Sequence, residues 1–444
     1  MKNGKQFKIE YFLGFLNSKL SFYIVDCLNP TVNTQVGDLK RVPVLYDETY
    51  VPVVEEHVRR CIAIKRFVAR SSIFEEEYST NPFLSSGSFN LSQYLNTENH
   101  LLSQVLLNEA IINEKIFDAY ELTATDKGIV LAKERESIGG LPVCIKAKVD
   151  YLADEEATKN FPLDSIYSYV ESLPEKEYKV DEREAIENDF PSLYQSNNNL
   201  EEFCIRHKVN PINVWYWFKQ SNVIPQQRMR TLAMEFLADM IREILMDDED
   251  GIVPLVSDAG GKILIDCIEE KFRSKGFSMA QFSSFDSVLG RNISDYLDNH
   301  FFAELSDHLN LFMYLPKTPF IWHLSSGPEQ GFDCYIIIYK WSRDKLMRLK
   351  SVYIEHRERA LINRQSDLAE KNSAEAQNEK DKIFKQLKEI EGFKQKIDEL
   401  LTEGYNPILD DGVGKNIAPL QKKEMIPYDV LNPGQLKKYL NADW

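Results

Sequence analysis

The side chains best suited to chemistry near the start of the chain lie between residues 31 and 41. This stretch combines amides, hydroxyls and a cationic pair, and its candidate contact residues are Asn33, Gln35, Lys40 and Arg41. Amides and hydroxyls hydrogen-bond the polar atoms of a ligand, while lysine and arginine neutralise phosphate charge. The composition of the loop therefore favours contact with a polyanion.

An apolar helix has to position this loop. Its apolar face is predicted by residues that recur at three- and four-residue steps: Phe12, Phe15, Leu16, Leu20, Tyr23 and Ile24. Asn29 and Pro30 end the helix, because proline lacks an N–H donor and biases the preceding residue away from helical geometry.

The charge of the chain is acidic overall but uneven. A formal net charge of −16 argues against indiscriminate binding of nucleic acid by the whole surface. Residues 1–70 nevertheless hold 11 Lys/Arg against 7 Asp/Glu, residues 200–230 hold 5 against 2, and residues 340–364 hold 8 against 3. Such basic islands are typical of a protein that binds a polyanion with selected faces, although ordinary charge fluctuation in a long chain gives the same pattern.

Residues 200–220 predict two helices joined by a short turn, with Asn210 as the cap and Pro211 at the first helical position. This spacing is typical of a helix-turn-helix, whose second helix enters the major groove of DNA. In that arrangement Asn213 and Tyr216 face outward and Lys219 lies near phosphate. The alternative is a plain helical hairpin with an aromatic core.

Residues 318–341 predict a β-hairpin, because two β-branched and aromatic runs flank a turn-rich connection. The tip is expected to present hydroxyls and free backbone N–H groups to a groove or to phosphate. The candidate contact residues at and beside the tip are Lys317, Ser325, Ser326, Lys340 and Arg343. The alternative is a structural flap.

Residues 342–403 predict two long helices that pair antiparallel within the chain. The second helix carries a heptad-like apolar stripe: Ile383, Leu387, Ile390, Phe393, Ile397 and Leu400. The predicted fold class is therefore mainly α with a small β component (α+β), built from helical domains, a β-hairpin near 318–341 and a long antiparallel helix pair near 342–403.

Targeting and metal-binding signals are absent from the sequence. No apolar run reaches the roughly 18 residues of a membrane span, and the N-terminus lacks the apolar core of a signal peptide. The six cysteines are scattered singly without a C-x-x-C pair, so a zinc ribbon and a redox motif are excluded. We expect a cytoplasmic protein with reduced thiols, no metal site and no membrane contact.

Several separate segments carry a family resemblance, among them LGFLNSKL…NPTVNTQVGDLKRVPV, INVWYWFKQSNVIP, LSDHLNLFMYLPKTPFIWHLSSG and LDDGVGKNIAPLQ. Together they resemble the C-terminal portion of the PglX family, the adenine-specific DNA methyltransferases of BREX phage-defence systems. The resemblance implies methylation of the adenine amino nitrogen with S-adenosylmethionine, which marks host DNA and takes part in excluding phage. It also makes double-stranded DNA the expected polyanion.

The motifs for that chemistry are missing from this chain. Holding a flipped adenine requires Asn or Asp, two prolines and an aromatic residue, and the sequence contains no Pro-Pro dipeptide. Asn81-Pro82-Phe83 is one proline short, and the only G-x-G, at Gly412, is predicted to have neither a strand before it nor a helix after it. We expect no catalytic or cofactor-binding residue here, and S-adenosylmethionine to bind the catalytic domain of the family.

The resemblance divides the chain into six predicted segments: 1–56, the end of a target-recognition region and the joint to an absent methyltransferase domain; 57–195, a helical connector; 196–250, a helix-turn-helix-like region; 251–341, helices and the β-hairpin; 342–404, the long helical hairpin; and 405–444, an extended tail. The chain is expected to begin after the catalytic domain, as a fragment or the recognition half of a split enzyme, and to be inactive alone.

The predicted function is DNA recognition and structural support for a BREX N6-adenine methyltransferase. The expected partners are double-stranded DNA, the methyltransferase domain or subunit, and other BREX proteins. The alternative is a helical scaffold whose helices at 342–403 bind another defence protein without DNA contact.

Overall fold

The structure, a computed structural model, describes residues 8–29, 35–73, 75, 78–85, 91–195, 198–257, 261–309 and 320–441. The helices of the first half are α1 (Ile9–Leu16), α2 (Lys19–Leu28), α3 (Val36–Leu39), α4 (Val51–Ala69), α5 (Pro82–Ser85), α6 (Leu91–Ala119), α7 (Ala124–Glu134), α8 (Ile145–Leu152), α9 (Glu155–Thr158), α10 (Tyr167–Ser172), α11 (Val180–Glu187), α12 (Leu200–His207), α13 (Pro211–Ser221) and α14 (Gln226–Asp247).

The second half contains α15 (Leu264–Ser274), α16 (Met279–Leu289), α17 (Ile293–Asn299), α18 (Phe301–Leu309), α19 (Arg343–Arg348), α20 (Glu355–Asp367), α21 (Ala374–Thr402), α22 (Val413–Lys422) and α23 (Pro433–Leu440). Its strands are β1 (Ile252–Pro254), β2 (Ile321–Ser325) and β3 (Asp333–Ile337). The predicted fold class, mainly α with a small β component, is confirmed.

The chain divides into two compact units. Unit 1 comprises residues 1–71 and 90–229, and unit 2 comprises residues 72–89 and 230–444. This division is coarser than the six segments predicted from the sequence, whose internal boundaries stay a prediction.

Unit 1 is built around α6, which is buried along most of its length. Leu106 and Leu107 pack into one apolar cluster with α8, α12 and α13. Ile112 and Ile116 pack into another with α1, α2 and α4. A helix that is apolar on more than one face has to be enclosed by neighbours, and the shorter helices of unit 1 supply them.

Residues 121–195, which belong to the predicted helical connector at 57–195, contribute to this core. Val143, Tyr151, Ile166 and Phe190 are fully buried in it. At Gly139 an added Cβ would lie 2.4 Å from the Leu106 carbonyl oxygen, so the 3₁₀ turn at Ile138–Gly140 packs directly on the backbone of α6.

Unit 2 contains a three-stranded antiparallel sheet with β3 in the centre, between β1 and β2. The predicted hairpin is formed by β2 and β3, with Ile321 opposite Ile337 and Ser325 opposite Asp333. The sequence did not predict β1, which pairs Ile252 with Ile336. The Ser325 N–H also donates to the Met425 carbonyl oxygen at 2.9 Å, so the outer edge of β2 is partly covered.

The predicted antiparallel helix pair is confirmed. The first helix runs as α19, a π-helical segment at Leu349–Ile354 and α20, and the second is α21. Three ion pairs along the seam fix the antiparallel order: Lys350–Asp398, Lys394–Glu358 and Arg364–Glu379. Ile390 and Ile397 of the heptad-like stripe are fully buried within unit 2, so they are not available as a surface for another protein.

The carboxylate of Asp250 anchors the start of the long helix pair to the sheet. It lies in the turn between α14 and β1, its side chain is 3% exposed, and it pairs with Lys345 and Arg348. The Tyr353 hydroxyl donates to it at 2.8 Å. Burial pushes the pKa of Asp250 up, but the hydrogen bonds from these three side chains outweigh burial and hold it at about 2.

The tail at 405–444 was predicted to be extended, and this is wrong for the residues of α22 and α23. Asn432 caps α23 by accepting from the Gln435 N–H, and Pro433 occupies its first turn. The Tyr405 hydroxyl accepts from Trp341 Nε1 and donates to the Asn416 carbonyl oxygen, which ties α22 to the start of α19.

We expect Gly14→Ala to destabilise unit 1. An added Cβ would lie 2.7 Å from Val58 Cγ2 and 2.8 Å from Val54 Cγ1, so α1 would have to move away from α4. Overpacking of this kind costs ~1–3 kcal/mol, measurable as a lower midpoint of chemical unfolding. Gly128→Ala in α7 is the matched control, because nothing lies within 4 Å of its added Cβ. The control should gain ~0.5–1 kcal/mol, and an equal response of the two variants would contradict the close approach of α1 to α4.

We also expect Asp250→Asn to destabilise unit 2 by ~2–3 kcal/mol, because the charge-assisted hydrogen bonds of Lys345, Arg348 and Tyr353 are weakened. Asp247→Asn is the control: this side chain is 75% exposed and pairs only at the surface with Lys271, so its loss should cost under ~0.5 kcal/mol.

The same carboxylate predicts an acid sensitivity. The pKa of Asp250 falls from 3.8 to about 2 in the folded protein, so its contribution is complete above about pH 4 and is lost as the pH falls toward 2. Unfolding midpoints measured between pH 5 and pH 2 should therefore converge for the wild type and Asp250→Asn. A gap that stayed constant over this range would contradict the ionised state of Asp250.

Candidate nucleic-acid interface

The segment from Gln35 to Leu45 forms an ordered surface loop on unit 1 that is held at its C-terminal end by two tyrosines. The Tyr120 hydroxyl donates to the Pro43 carbonyl oxygen and accepts from the Leu45 N–H at 3.0 Å. The Tyr11 hydroxyl donates to the Leu45 carbonyl oxygen at 2.8 Å. Burial raises the pKa of Tyr11, which keeps this donor protonated.

The other end of the loop is held by Asp38. Its carboxylate accepts from Asn29 Nδ2 at 2.7 Å and from the Gln35 N–H at 3.1 Å. The hydrogen bond from Asn29, followed by that from the Gln35 backbone, lowers the pKa of Asp38. The short helix α3 therefore begins at a capped turn and presents Lys40 and Arg41 just after its last residue.

Three of the predicted contact residues lie together on this loop. Gln35, Lys40 and Arg41 are all exposed. Neither cationic side chain makes an ion pair or a side-chain hydrogen bond with another residue that the structure describes. Asn33, the fourth, lies outside the described residues. The structure thus leaves two adjacent cations available to an external anion.

The helix pair predicted at 200–220 is present as α12 and α13, but its second helix is packed inside unit 1. The expectation that Asn213 and Tyr216 face outward is wrong, since both side chains are buried. Asn213 Oδ1 accepts from the Cys144 N–H at 2.9 Å, and its Nδ2 donates to the Pro142 carbonyl oxygen at 3.2 Å. Their contact with DNA stays a prediction, which this packing does not support.

Lys219 lies nearer the surface at the C-terminal end of α13. Its ammonium group pairs with Asp154 at 2.7 Å and lies 5.0 Å from the centre of the Trp215 ring. Asp154 also caps α9 by accepting from the Ala157 N–H at 3.0 Å. Lys219 therefore already has an acidic partner and an aromatic one, and an external phosphate would have to compete with both.

The tip of the β-hairpin holds a carboxylate of the same chain. Glu389 of α21 accepts from the N–H of Glu329 at 2.9 Å and from the N–H of Gly331 at 3.1 Å. The Ser326 hydroxyl also donates to Glu389, at 3.4 Å. The prediction that these tip N–H groups are free is therefore wrong, because α21 supplies the anion.

The remaining hairpin candidates are also engaged within unit 2, apart from Lys317, which lies outside the described residues. Ser325 is buried, and its hydroxyl accepts from the Gly327 N–H at 3.2 Å. Lys340 donates to the carbonyl oxygens of Met246 and Asp248 at the end of α14. Arg343 donates to the carbonyl oxygen of Leu401 in the last turn of α21 and to that of Tyr405 just beyond the helix. Cations at helix C-termini satisfy the last carbonyl groups and complement the helix dipole.

The other cations of the basic island at 340–364 are also bound within unit 2. Each of its other cations also binds an oxygen of the same chain: Lys345 and Arg348 bind Asp250, Lys350 binds Asp398, Arg357 binds the carbonyl oxygens of Ser257 and Gly331, Arg359 binds Glu355, and Arg364 binds Glu379. The local excess of positive charge therefore stabilises the fold, and sequence counting could not distinguish this from an anion-binding surface.

The two short motifs noted in the sequence have packing roles. Asn81 is buried, donates to the Leu232 carbonyl oxygen at 3.2 Å and accepts from the Phe83 N–H, while Phe83 packs on Phe236 and Phe285. The G-x-G at Gly412 does precede a helix, α22, contrary to expectation. An added Cβ on Gly414 would lie 2.6 Å from the Tyr439 ring, so this glycine serves the packing of α23.

Two general features bear on function. In the described part of the chain, no three His, Cys, Asp or Glu side chains are grouped so that they could hold a metal ion. Within the same residues, no helix combines the length and the apolar character needed to cross a bilayer.

Comparison with known proteins gives two relatives and no matching family model. The chain is 22% identical over 443 residues to the adenine-specific methyltransferase BrxX of Escherichia coli O9:H4 (strain HS), a match that covers 94% of this chain and 32% of the relative. It is 22% identical over 428 residues to the adenine-specific methyltransferase PglX of Lacticaseibacillus casei (strain Zhang), which covers 92% of this chain and 31% of the relative.

The chain thus spans about a third of the length of these curated relatives, while nearly all of it takes part in the match. The resemblance carried by separate sequence segments is confirmed: over nearly all of its length this chain is similar to the adenine-specific methyltransferases BrxX and PglX.

Proposed function

We propose that this chain is a DNA-recognition and structural part of a BREX adenine-specific DNA methyltransferase. The observation that carries the proposal is the match of 92–94% of the chain to two proteins named as adenine-specific methyltransferases. In this proposal the chain binds double-stranded DNA in the cytoplasm and supports N6-adenine methylation that marks host DNA during phage defence.

The methyl transfer itself is assigned to a different region or subunit. The sequence has no Pro-Pro dipeptide with which to hold a flipped adenine, and its G-x-G serves helix packing. S-Adenosylmethionine would therefore bind the catalytic domain of the family, and this chain would contact that domain and other BREX proteins. The scaffold alternative has less support, because Ile390 and Ile397 of its proposed docking stripe are buried.

Within this proposal, the contact with DNA centres on the loop that carries Gln35, Lys40 and Arg41. The loop is held at both ends by Asp38 and by Tyr11 and Tyr120, so its backbone loses little conformational entropy when a phosphate binds. Lys40 and Arg41 are exposed cations without an internal ion pair among the described residues, unlike those of residues 340–364.

We expect the double variant Lys40→Gln/Arg41→Gln to bind duplex DNA more weakly and with a smaller dependence on salt. Each phosphate contact contributes about 0.9 to the slope of log affinity against log salt, so the loss of two contacts should reduce the slope by about 1.8. Fluorescence anisotropy of a labelled duplex over a range of salt concentrations measures this slope on the full chain.

The matched control is Lys382→Gln/Lys388→Gln, which removes the same charge from exposed positions on α21. Its slope should equal that of the wild type. An unchanged slope in the Lys40/Arg41 variant, or an equal fall in both variants, would contradict a role for the loop. If the wild type bound no duplex at low salt, with or without a supplied methyltransferase domain, the proposal as a whole would fail.

A further inference from the structure

Helices α1, α4 and α6 of unit 1 enclose a crevice of about 230 Å³. Leu13, Val58, Ile62 and Ile112 give it apolar walls, and Glu109 is its one carboxylate among the described lining residues. Small-molecule sites usually have roughly 300–1,000 Å³, so this volume suits a single long side chain better than a cofactor. We call it the Glu109 crevice.

The carboxyl group of Glu109 has no ion pair and no side-chain hydrogen bond among the described residues. The Glu109 side chain is exposed where it lines the crevice. Desolvation by the protein around it, together with the charge of Glu201 on α12, nevertheless raises its pKa to about 7, against the opposing charges of Lys65 on α4 and Lys19 on α2. Desolvation also raises the pKa of the lining Cys61 thiol to about 12, so that group stays neutral. An approaching cation would therefore stabilise the carboxylate form of Glu109.

Two other polar side chains that line the crevice, Asn113 and Asn17, already hydrogen-bond backbone groups. Asn113 Oδ1 accepts from the Lys19 N–H at 2.8 Å, which fixes the start of α2, and its Nδ2 donates to the Glu109 carbonyl oxygen. Asn17 Nδ2 donates to the Leu13 carbonyl oxygen at 2.8 Å. Both amides thus already hydrogen-bond backbone groups of unit 1.

An exposed apolar strip borders the crevice. Leu13 lines the crevice and is 43% exposed, and Ile9, one helical turn earlier on the same face of α1, is 80% exposed. Apolar side chains exposed together beside an apolar crevice are typical of a surface that another polypeptide covers.

We propose that the Glu109 crevice receives a lysine or arginine side chain of a partner polypeptide, whose neighbouring apolar residues cover Ile9 and Leu13. The aliphatic part of the long side chain would lie along Val58, Ile62 and Ile112, and its cationic end would meet Glu109. A free polyamine would neutralise Glu109 but leave the strip on α1 exposed, which is why the chemistry favours a polypeptide.

The test is a binding titration of the full chain with an acetylated, amidated pentapeptide, Ala-Leu-Lys-Leu-Ala, that carries a fluorescent label. A second peptide has norleucine in place of lysine, and hexylamine serves as a competitor without a backbone. The lysine peptide should bind about tenfold more tightly at pH 8 than at pH 6, because a group with a pKa of about 7 is roughly nine-tenths ionised at pH 8 and one-tenth at pH 6. The norleucine peptide should bind more weakly and without this pH dependence.

Two variants complete the test, each checked by circular dichroism for intact folding. Glu109→Gln should bind both peptides equally and independently of pH. Glu201→Gln removes a carboxylate that faces Glu109 but does not line the crevice, so it should keep the preference for lysine.

The proposal would be overturned by equal binding of the two peptides to the wild type, by a lysine preference that survives in Glu109→Gln, or by the absence of saturable binding for every probe. If hexylamine competed as strongly as unlabelled peptide, the crevice would be a site for free amines, and the docking of a polypeptide would be rejected. None of these outcomes depends on binding of DNA, so they are independent of the function proposed above.

Discussion

The arrangement of unit 2 depends on the buried charge of Asp250. A carboxylate with so little exposure is costly unless it is paired and hydrogen-bonded. Among the described residues, Asp250 obtains its side-chain partners from α19 and the π-helical segment that follows. Because Asp250 lies two residues before Ile252, the first residue of β1, and β1 pairs with β3, the ion pairs fix the start of the long helix pair against the sheet. The hydrogen bonds that Glu389 of α21 accepts at the hairpin tip then fix the second helix of the pair against the sheet.

Because cations also pair with carboxylates and helix ends of the same unit, a basic island in the sequence does not by itself identify a surface that binds a polyanion. The net charge of −16 reflects 69 Asp and Glu against 53 Lys and Arg, and the cations of residues 340–364 neutralise carboxylates and helix ends of their own unit. Lys40 and Arg41 differ because the loop that carries them is held by Asp38 and two tyrosines rather than by the cations themselves. Lys40 and Arg41 can therefore pair with a bound anion without loss of the hydrogen bonds that hold the loop.

Features set by local sequence were predictable, and those set by distant partners were not. The β2–β3 hairpin follows from two β-branched and aromatic runs that flank a turn, and the α21 stripe follows from apolar periodicity. Both signals lie within short windows of sequence. Strand β1 has three residues and is formed by its pairing with β3, some eighty residues away, so no local sequence pattern predicts it. The burial of Asn213 has the same origin, since its partners Pro142 and Cys144 lie on a separate segment. Likewise, counting charges could not show that the hairpin tip and the cations beside it already have partners in unit 2.

Hydrogen–deuterium exchange of the full chain, with and without a saturating short duplex at low salt, tests most directly whether the loop of unit 1 is the face that meets DNA. The duplex should slow exchange at the amides of residues 35–45 and leave α13 and the hairpin tip at 325–331 unchanged. Slowed exchange at the start of α13 or at the tip, with residues 35–45 unaffected, would contradict this assignment and restore the helix-turn-helix or the hairpin as the contact surface.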